Sequence, residues 1–283
     1  EEGREEKKDK KSLLILGDGD MSFSKAVMHV LESRTYPSDD YWPCFSAFDQ
    51  VTATTLDSHQ TLTKLYSQAQ ENLKVLAGIS NCKVVHQVDA TQLKRSFASQ
   101  KFDCIVWNFP QTAISCTHLS TGTFFHKNQK LLFDFFRQAK HNLKDDGVIR
   151  IALCNRQESE FAIHEAAKRF FYCARILFFE EKWFPGYNRK RSITDAPWDM
   201  RFAEIFEFRW AATQKQLRLN AAASNIIPRN EREELWLSKE KVLMPFTAAE
   251  RAREEAEEAE MEAKRLAGRE DVIAKLMKQL GKA

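Results

Sequence analysis

No stretch of this 283-residue chain approaches the roughly 18 consecutive apolar residues that a membrane-spanning helix requires. Nor does the start, Glu1 to Lys11, read as a signal or transit peptide, because it is charged and carries several acids. A presequence cleaved ahead of Glu1 is compatible with that reading. The six cysteines (Cys44, Cys82, Cys104, Cys116, Cys154, Cys173) include no C-x-x-C pair, and no histidine stands at zinc spacing beside them. No metal is therefore expected, and the thiols read as buried and reduced in an intracellular protein. His86, His126, His141 and His164 form no ligand spacing either and read as structural or surface residues. G-x-S-x-G and Walker A loops are both missing, which removes two nucleophile and nucleotide signatures. Charge of one sign is scarce as well. With 43 Lys and Arg against 40 Asp and Glu, the net charge is only +3, which permits a local RNA-binding patch without demanding one.

What is present is a large supply of core residues. Hydrophobic side chains make up 43% of the chain and phenylalanine alone contributes 21, enough for one large α/β domain with an appendage or for two small domains. Strand-like and helix-like stretches alternate. Residues 12–16 (SLLIL), 51–56 (VTATTL), 83–88 (KVVHQV), 102–107 (FDCIVW), 148–153, 176–180 and 202–210 (FAEIFEFRW) predict strands. Residues 24–31, 59–76, 127–143 and 158–170 predict helices, and the aromatic stretch 33–48 reads as an insertion. Near-continuous apolar strands separated by helices indicate a doubly wound, mostly parallel sheet, and the last two strands suit a closing antiparallel hairpin.

Four of the strand ends carry polar motifs, and ligands in open α/β sheets bind outside those ends. After the first strand comes Gly17-Asp18-Gly19-Asp20-Met21-Ser22. A dinucleotide loop would place a third glycine where Ser22 stands, and Asp18 and Asp20 would repel a pyrophosphate. An acidic loop suits a ligand with a cationic end; equally, Asp20 or Ser22 suits a helix cap. Asp57 follows the second strand and can accept ribose hydroxyls, or cap a helix as Ser58 can. Asp89 and Ala90 follow the third, where the carboxylate can bond an adenine amino group or cap the next turn. Asn108-Phe109-Pro110 ends the fourth and can present a side-chain oxygen and a carbonyl to a substrate N–H, with Phe109 or Trp107 stacking on a base. Simple strand termination is the competing reading there. Four such motifs in succession are far less expected by chance than any one.

Farther on, Trp183-Phe184-Pro185-Gly186-Tyr187-Asn188-Arg189-Lys190-Arg191 is a turn with aromatics on one side and cations on the other. Tyr187, Arg189, Lys190 and Arg191 suit unstacked RNA, the alternative being a solvated loop. Beyond about residue 211 the character changes: 213–283 is a polar linker and then a Glu-, Ala-, Arg- and Lys-rich run. Thr247 and Glu250 form a capping box, and Ala252, Ala256, Ala259, Ala263, Leu266, Val272, Ile273, Leu276 and Leu280 trace a thin apolar seam. A long helix over 247–280 that docks on a protein partner is expected. The resulting domain plan is a charged tail (1–10), a catalytic-type domain (11–212) and this extension (213–283).

In order along the chain, these residues resemble the BMT5-like family of Rossmann-like, S-adenosylmethionine (SAM)-dependent rRNA uridine-N3 methyltransferases. Gly17–Ser24 is similar to the family's G-E-G-D-F-S-F-S and Thr55-Leu56-Asp57-Ser58 to its T-S-x-D-S. Val88–Thr91 is similar to V-D-A-T, residues 102–110 to F-D-x-I-x-F-N-F-P, and Pro185-Gly186-Tyr187 with Arg189 and Arg191 to P-G-Y-x-x-R-R. The resemblance implies that Gly17, Asp18, Gly19, Asp20, Asp57, Asp89, Ala90 and Asn108 line a SAM pocket, with Asn108, Phe109 and Pro110 facing the base. It also implies a ribosomal RNA or ribosomal-particle partner, a role in ribosome biogenesis, and a nucleolar or nuclear site, with a mitochondrial paralogue as the alternative. Two departures stand out: Gln111, Thr112, Ala113 and Ile114 replace a His followed by a Gly- and Lys-containing loop, and Lys190 and Ser192 differ from the usual run. They leave open a catalytically inactive methyltransferase fold serving as an assembly component. A nicotinamide-dependent oxidoreductase is disfavoured by Ser22 and the acidic loop.

Overall fold

The structure, a computed structural model, describes residues 10–33, 48–112, 121–154, 157–189 and 202–211. The expected helix over 247–280, most of the aromatic insertion, Ala113, Ile114, Lys190 and Arg191 lie outside the described residues. In chain order the elements are β1 (Ser12–Leu16), α1 (Ser22–Ser33), β2 (Gln50–Thr54), α2 (His59–Leu65), α3 (Ala69–Ala77) and β3 (Cys82–Val85). Then follow α4 (Leu93–Phe97), β4 (Phe102–Asn108), α5 (Thr121–Asn142), β5 (Leu143–Leu153), α6 (Gln157–Glu160), α7 (Ile163–Ala167), β6 (Phe171–Phe178) and β7 (Glu204–Trp210).

The strands make one sheet in the order β3-β2-β1-β4-β5-β7-β6. The first five run parallel, and β7 inserts antiparallel between β5 and β6. This is the Rossmann-like methyltransferase arrangement, with the direction of winding reversing between β1 and β4. Side chains alternate across the pleat, so β1 sends Leu13 and Ile15 to one face and Leu14 and Leu16 to the other, all essentially without solvent contact. The first face packs on Val27 and Val30 of α1 and Leu73 and Leu76 of α3. The second packs on Leu93 and Phe97 of α4, Phe135 and Phe136 of α5, and Ile163 of α7. Helices on both faces explain why β1 and the middle of β4 read as near-continuous apolar runs.

Several elements depart from the sequence reading. The expected helix over 59–76 breaks where Tyr66 turns extended, and its buried ring reaches the loop after β1. The expected helix over 158–170 is split at Ala162, whose φ is +47°, and stops at Ala167. Strand β6 then begins at Phe171 rather than 176, because it pairs with β7 along its whole length. Strand β3 stops at Val85, so Asp89 sits four residues beyond it on a loop. Strand β5 runs from Leu143 through Asp146-Gly147, where the sequence reading starts it at 148. A Cβ on Gly147 would lie 2.9 Å from the Leu143 side chain, so the close approach calls for glycine.

At the antiparallel end the sheet carries a buried ion network. Register sets Arg150 of β5 opposite Glu207 of β7, and Glu207 opposite Arg175 of β6. Arg150 Nη2 and Arg175 Nη2 donate to Glu207 Oε2 at 2.8 and 2.9 Å, and Arg209 Nη2 donates to Oε1 at 3.1 Å. Arg150 and Glu207 are fully buried. Burial alone would raise the Glu207 pKa, but the charges and hydrogen bonds of Arg150 and Arg175 outweigh it and hold the group at about 2. Replacing one member of a buried pair strands the other, so Glu207→Gln should cost about 3–5 kcal/mol near neutral pH. Because the native pKa is depressed, this stabilisation is complete above the ordinary glutamate value and is lost as pH falls toward 2. Denaturant titrations of wild type and variant should therefore converge between pH 4.5 and about 2; a gap independent of pH would contradict the assignment.

Candidate functional site

Parallel register brings the carboxyl ends of β1, β2, β3 and β4 to one edge of the sheet, and three hydrogen bonds tie the loops beyond them together. Asp18 N–H donates to the Thr54 carbonyl at 2.9 Å, joining the β1 loop to the end of β2. Val88 N–H donates to the Thr55 carbonyl at 3.0 Å, drawing the Asp89 loop beside Asp57. Phe109 N–H donates to the Ala152 carbonyl at 2.9 Å, holding the end of β4 against β5. The four strand-end motifs thus lie at neighbouring strand ends, as their spacing in the sequence led one to expect.

The β1 loop turns on Gly17 at φ +63°, where a Cβ would also meet the Trp107 indole nitrogen at 2.9 Å. At Gly19 a Cβ would stand 3.3 Å from the Tyr66 hydroxyl. The two acids of the loop cap α1. Asp18 Oδ2 accepts from Ser24 N–H at 2.7 Å, and Asp20 Oδ1 accepts from Ser22 N–H at 3.0 Å. Helix N-terminal N–H groups are what a Rossmann dinucleotide site offers to pyrophosphate. Here the chain's own carboxylates take those donors and place negative charge where a phosphate would lie. Asn72 supports the loop from α3: its Nδ2 donates to the Asp20 carbonyl at 2.8 Å and its Oδ1 accepts from Lys25 at 2.6 Å. Sequence reading missed Asn72, although a polar residue within the apolar stripe Ala69, Leu73, Leu76 was the signal.

The remaining acids divide. Asp89 accepts from Thr91 N–H and Oγ1 at 2.8 and 2.7 Å and from Gln92 Nε2 at 2.8 Å, capping the 3₁₀ turn Ala90–Gln92. Burial raises its pKa, yet these bonds hold it below the ordinary value. Asp57 does not cap α2, since Ser58 accepts from Thr61 N–H at 3.1 Å instead. Its carboxylate has no hydrogen-bond or ion-pair partner among the described residues, and partial burial raises its pKa. Leu56 beside it is 58% exposed. On β4, Asn108 Nδ2 is shielded from solvent and has no hydrogen-bond partner among the described residues. Phe109 follows at φ +52° and Met21 lies at φ +64°, left-handed conformations that cost about 1–3 kcal/mol each and cluster at functional sites. Pro110 is buried, and Thr112 N–H is held by Asn128 Oδ1 at 2.9 Å.

The Pro-Gly-Tyr turn folds back onto this edge, a link the sequence does not reveal. Ser22 Oγ accepts from Asn188 N–H at 3.1 Å and lies 3.2 Å from the Asn188 carbonyl, latching the turn to the start of α1. Tyr187 and Phe184 pack on Phe23 at 5.2 and 4.8 Å between ring centres. Phe179 bridges Phe184 to Phe109 at 5.4 and 5.2 Å. The Arg189 guanidinium lies 5.8 Å from the Phe109 ring centre and pairs with Glu181. Tyr187 and Arg189 therefore border the end of β4, with only 9% of the Arg189 side chain exposed. Burial and then the Asp18 charge push the Tyr187 hydroxyl well above its usual value.

Asp18 is the most perturbed acid of the site. Burial first, and the neighbouring Asp20 charge second, raise its pKa from 3.8 to about 7 despite the bonds from Ser24. A raised carboxylate pKa makes the folded state favour the protonated form, so stability falls as pH climbs from the unfolded value through 7. Asp18→Asn keeps an acceptor for Ser24 and removes the ionisation. Its melting temperature relative to wild type should rise steadily as pH climbs from 3.8 to about 7. An offset independent of pH would contradict the burial argument.

Comparison with known proteins supplies the family. The BMT5-like family, described as rRNA (uridine-N3-)-methyltransferase BTM5-like, matches residues 14–191. Heavy metal-associated isoprenylated plant protein 41 of Arabidopsis thaliana is 27% identical over 231 residues, covering 79% of this chain and 41% of the relative. Ferredoxin-fold anticodon-binding domain-containing protein 1 of Homo sapiens is 32% identical over 149 residues, covering 51% of this chain and 20% of that protein. The chain thus spans less than half the length of these two curated relatives. Among solved structures, TrmN from Thermus thermophilus is 18% identical, with a TM-score of 0.42, over 71% of this chain and 44% of that one. The matched span runs from β1 through the Pro-Gly-Tyr turn and covers well over half of the sequence. With its strand order and its strand-end motifs in place, the chain belongs to the BMT5-like family and is an RNA methyltransferase-like protein.

Proposed function

We propose that this chain binds S-adenosylmethionine at the carboxyl edge of its parallel strands and methylates a uridine N3 of ribosomal RNA. The observation that carries the cofactor assignment is the α1 N-terminus, whose Ser22 and Ser24 N–H groups are taken by Asp20 and Asp18. Such an end repels phosphate and favours a ligand with a cationic end. The donor set fits a cationic nucleoside in two further respects. Asp57 offers an unengaged carboxylate for paired ribose hydroxyls, while Asn108 offers a shielded amide awaiting a partner. When bound, this cofactor supplies a sulfonium methyl group that a base nitrogen takes up by direct displacement.

The chain's own residues would do the positioning. Asn108, with its Oδ1 acceptor and Nδ2 donor, can match the alternating N–H and carbonyl edge of a uracil. Phe109, held in a left-handed conformation with the Arg189 guanidinium packed beside it, supplies a face against which an unstacked base can rest. Gln111 stands where the family has histidine, so the N3 proton passes to solvent rather than to an imidazole at that position. Orientation then contributes most of the acceleration.

That same departure supports a second reading, a methyltransferase fold kept as an assembly component of a ribosomal particle. Calorimetry with SAM and transfer of labelled methyl to ribosomal RNA separate the two. Asp57→Ala should weaken SAM binding by about 10–100-fold, the loss expected for charge-assisted hydrogen bonds, with little change in melting temperature because Ser58 does the capping. Asn108→Ala should slow transfer at saturating SAM by at least about tenfold. SAM binding without any methyl incorporation would favour the assembly role, and absence of SAM binding would sink the enzyme reading.

A further inference from the structure

A second charged surface lies at the far rim of the sheet, away from the strand ends that carry the candidate site. Helix α4 leads into β4 and α5 leads directly into β5, so the end of α5 and the loop after α4 sit at the amino ends of these strands. Asn142 clamps the two together, its Nδ2 donating to the Gln100 carbonyl at 2.8 Å. His141 in the last turn of α5 is exposed on this rim, and Lys94 and Arg95 of α4 are exposed on the helix that runs toward it from the Asp89 turn. Lys140 lies 4.4 Å from the centre of the Phe170 ring, and the Arg169 guanidinium lies 5.7 Å from it. Burial and then the charges of Lys140 and Lys94 lower the His141 pKa, and Leu93 and Phe97 of α4 share one apolar cluster with Phe136 and Ala139 of α5. Nearby, Asp134 pairs with Lys130 and Arg137, Glu165 with Lys168 and Asp145 with Lys101, while Asp146 lies exposed near the start of β5. The carbonyl end of α5 accounts for cations in its own last turn, but not for Lys94, Arg95 or Arg169, which come from two other segments. No ion pair holds Lys94, Arg95, Lys140 or Arg169 among the described residues.

We propose that Lys94, Arg95, Lys140 and Arg169 form a phosphate-contacting surface for the backbone of an extended or structured RNA. This rests on the RNA reading of the candidate site and specifies the substrate further. The seven residues of β4 separate Asn108 from the strand starts beside Lys140 and Arg169, about 20 Å at ordinary strand rise, with Lys94 and Arg95 in between, five and six residues beyond Asp89. An RNA that engages both must span that distance, so a mononucleotide or very short oligomer forfeits these contacts. Because Lys140 and Arg169 sit against the Phe170 ring, the surface offers cations rather than an open stacking face. It should therefore read backbone charge and not base identity.

The test uses the full chain and a labelled RNA hairpin of about 16 base pairs, the span of a typical duplex-binding module. The quadruple variant Lys94→Ala, Arg95→Ala, Lys140→Ala, Arg169→Ala should bind it at least about tenfold more weakly. The slope of log affinity against log salt should also shrink by about 3–4, close to one unit per lost phosphate contact. SAM affinity should be unchanged, which reports an intact fold, and Lys94→Arg with Lys140→Arg should retain RNA affinity. Equal affinity and slope for wild type and the quadruple variant would overturn the surface while leaving the candidate site untouched. An unchanged RNA affinity with loss of an acidic protein partner would overturn it too. A wild-type chain with no affinity for RNA would instead bring down the RNA reading on which the surface rests.

Discussion

The start of α1 is held by two carboxylates, and the character of the functional edge follows from that. Asp18 accepts from Ser24 N–H and Asp20 from Ser22 N–H, so the donors that a Rossmann fold usually turns toward a phosphate are satisfied within the chain. The cost is visible in Asp18, which burial and the Asp20 charge push to a pKa of about 7. Two acids in so little solvent disfavour each other's ionisation, and a cationic ligand relieves that repulsion while an anion worsens it. Tyr66, Asn72 and Trp107 hold the loop in place from three other elements, and the glycines leave them room to approach. Ser22, besides heading α1, receives Asn188 and so binds the Pro-Gly-Tyr turn to the same point.

The same constraint orders the aromatic side of the edge. Phe23 follows the capped serine and carries Phe184 and Tyr187, which connect through Phe179 to Phe109 at the end of β4. The segment expected to meet RNA is thereby joined to the segment expected to meet the base. Strain at Met21 and Phe109 is tolerated because each lies in a loop bound on both sides. At the other end of the sheet, Glu207 with Arg150, Arg175 and Arg209 fixes the register of the antiparallel strands. That network belongs to the scaffold, on the strands opposite β3 and β2, and it leaves the parallel edge free for ligand.

The sheet was readable in the sequence because parallel strands buried on both faces are largely apolar, and 102–107 and 148–153 are so apart from Asp103 and Arg150. Motifs at strand ends were readable for the same reason, since the fold brings successive ends to one edge. What each acid does there was not readable, because Asp, Asn and Ser serve equally as helix caps and as ligand contacts. Asp18, Asp20 and Asp89 cap, while Asp57 leaves that task to Ser58. The break at Tyr66 escaped notice because periodicity from 59 to 76 continues through it, and only contact with the β1 loop explains the turn. The bond between Ser22 and Asn188 joins distant segments, a pairing that no local pattern encodes.

The most direct test of the central claim is a calorimetric comparison of S-adenosylmethionine with a nicotinamide dinucleotide on the same protein. The capped α1 terminus predicts measurable binding of the sulfonium nucleoside and none of the dinucleotide, whose pyrophosphate would face Asp18 and Asp20. Binding of the dinucleotide with equal or greater affinity would contradict the account.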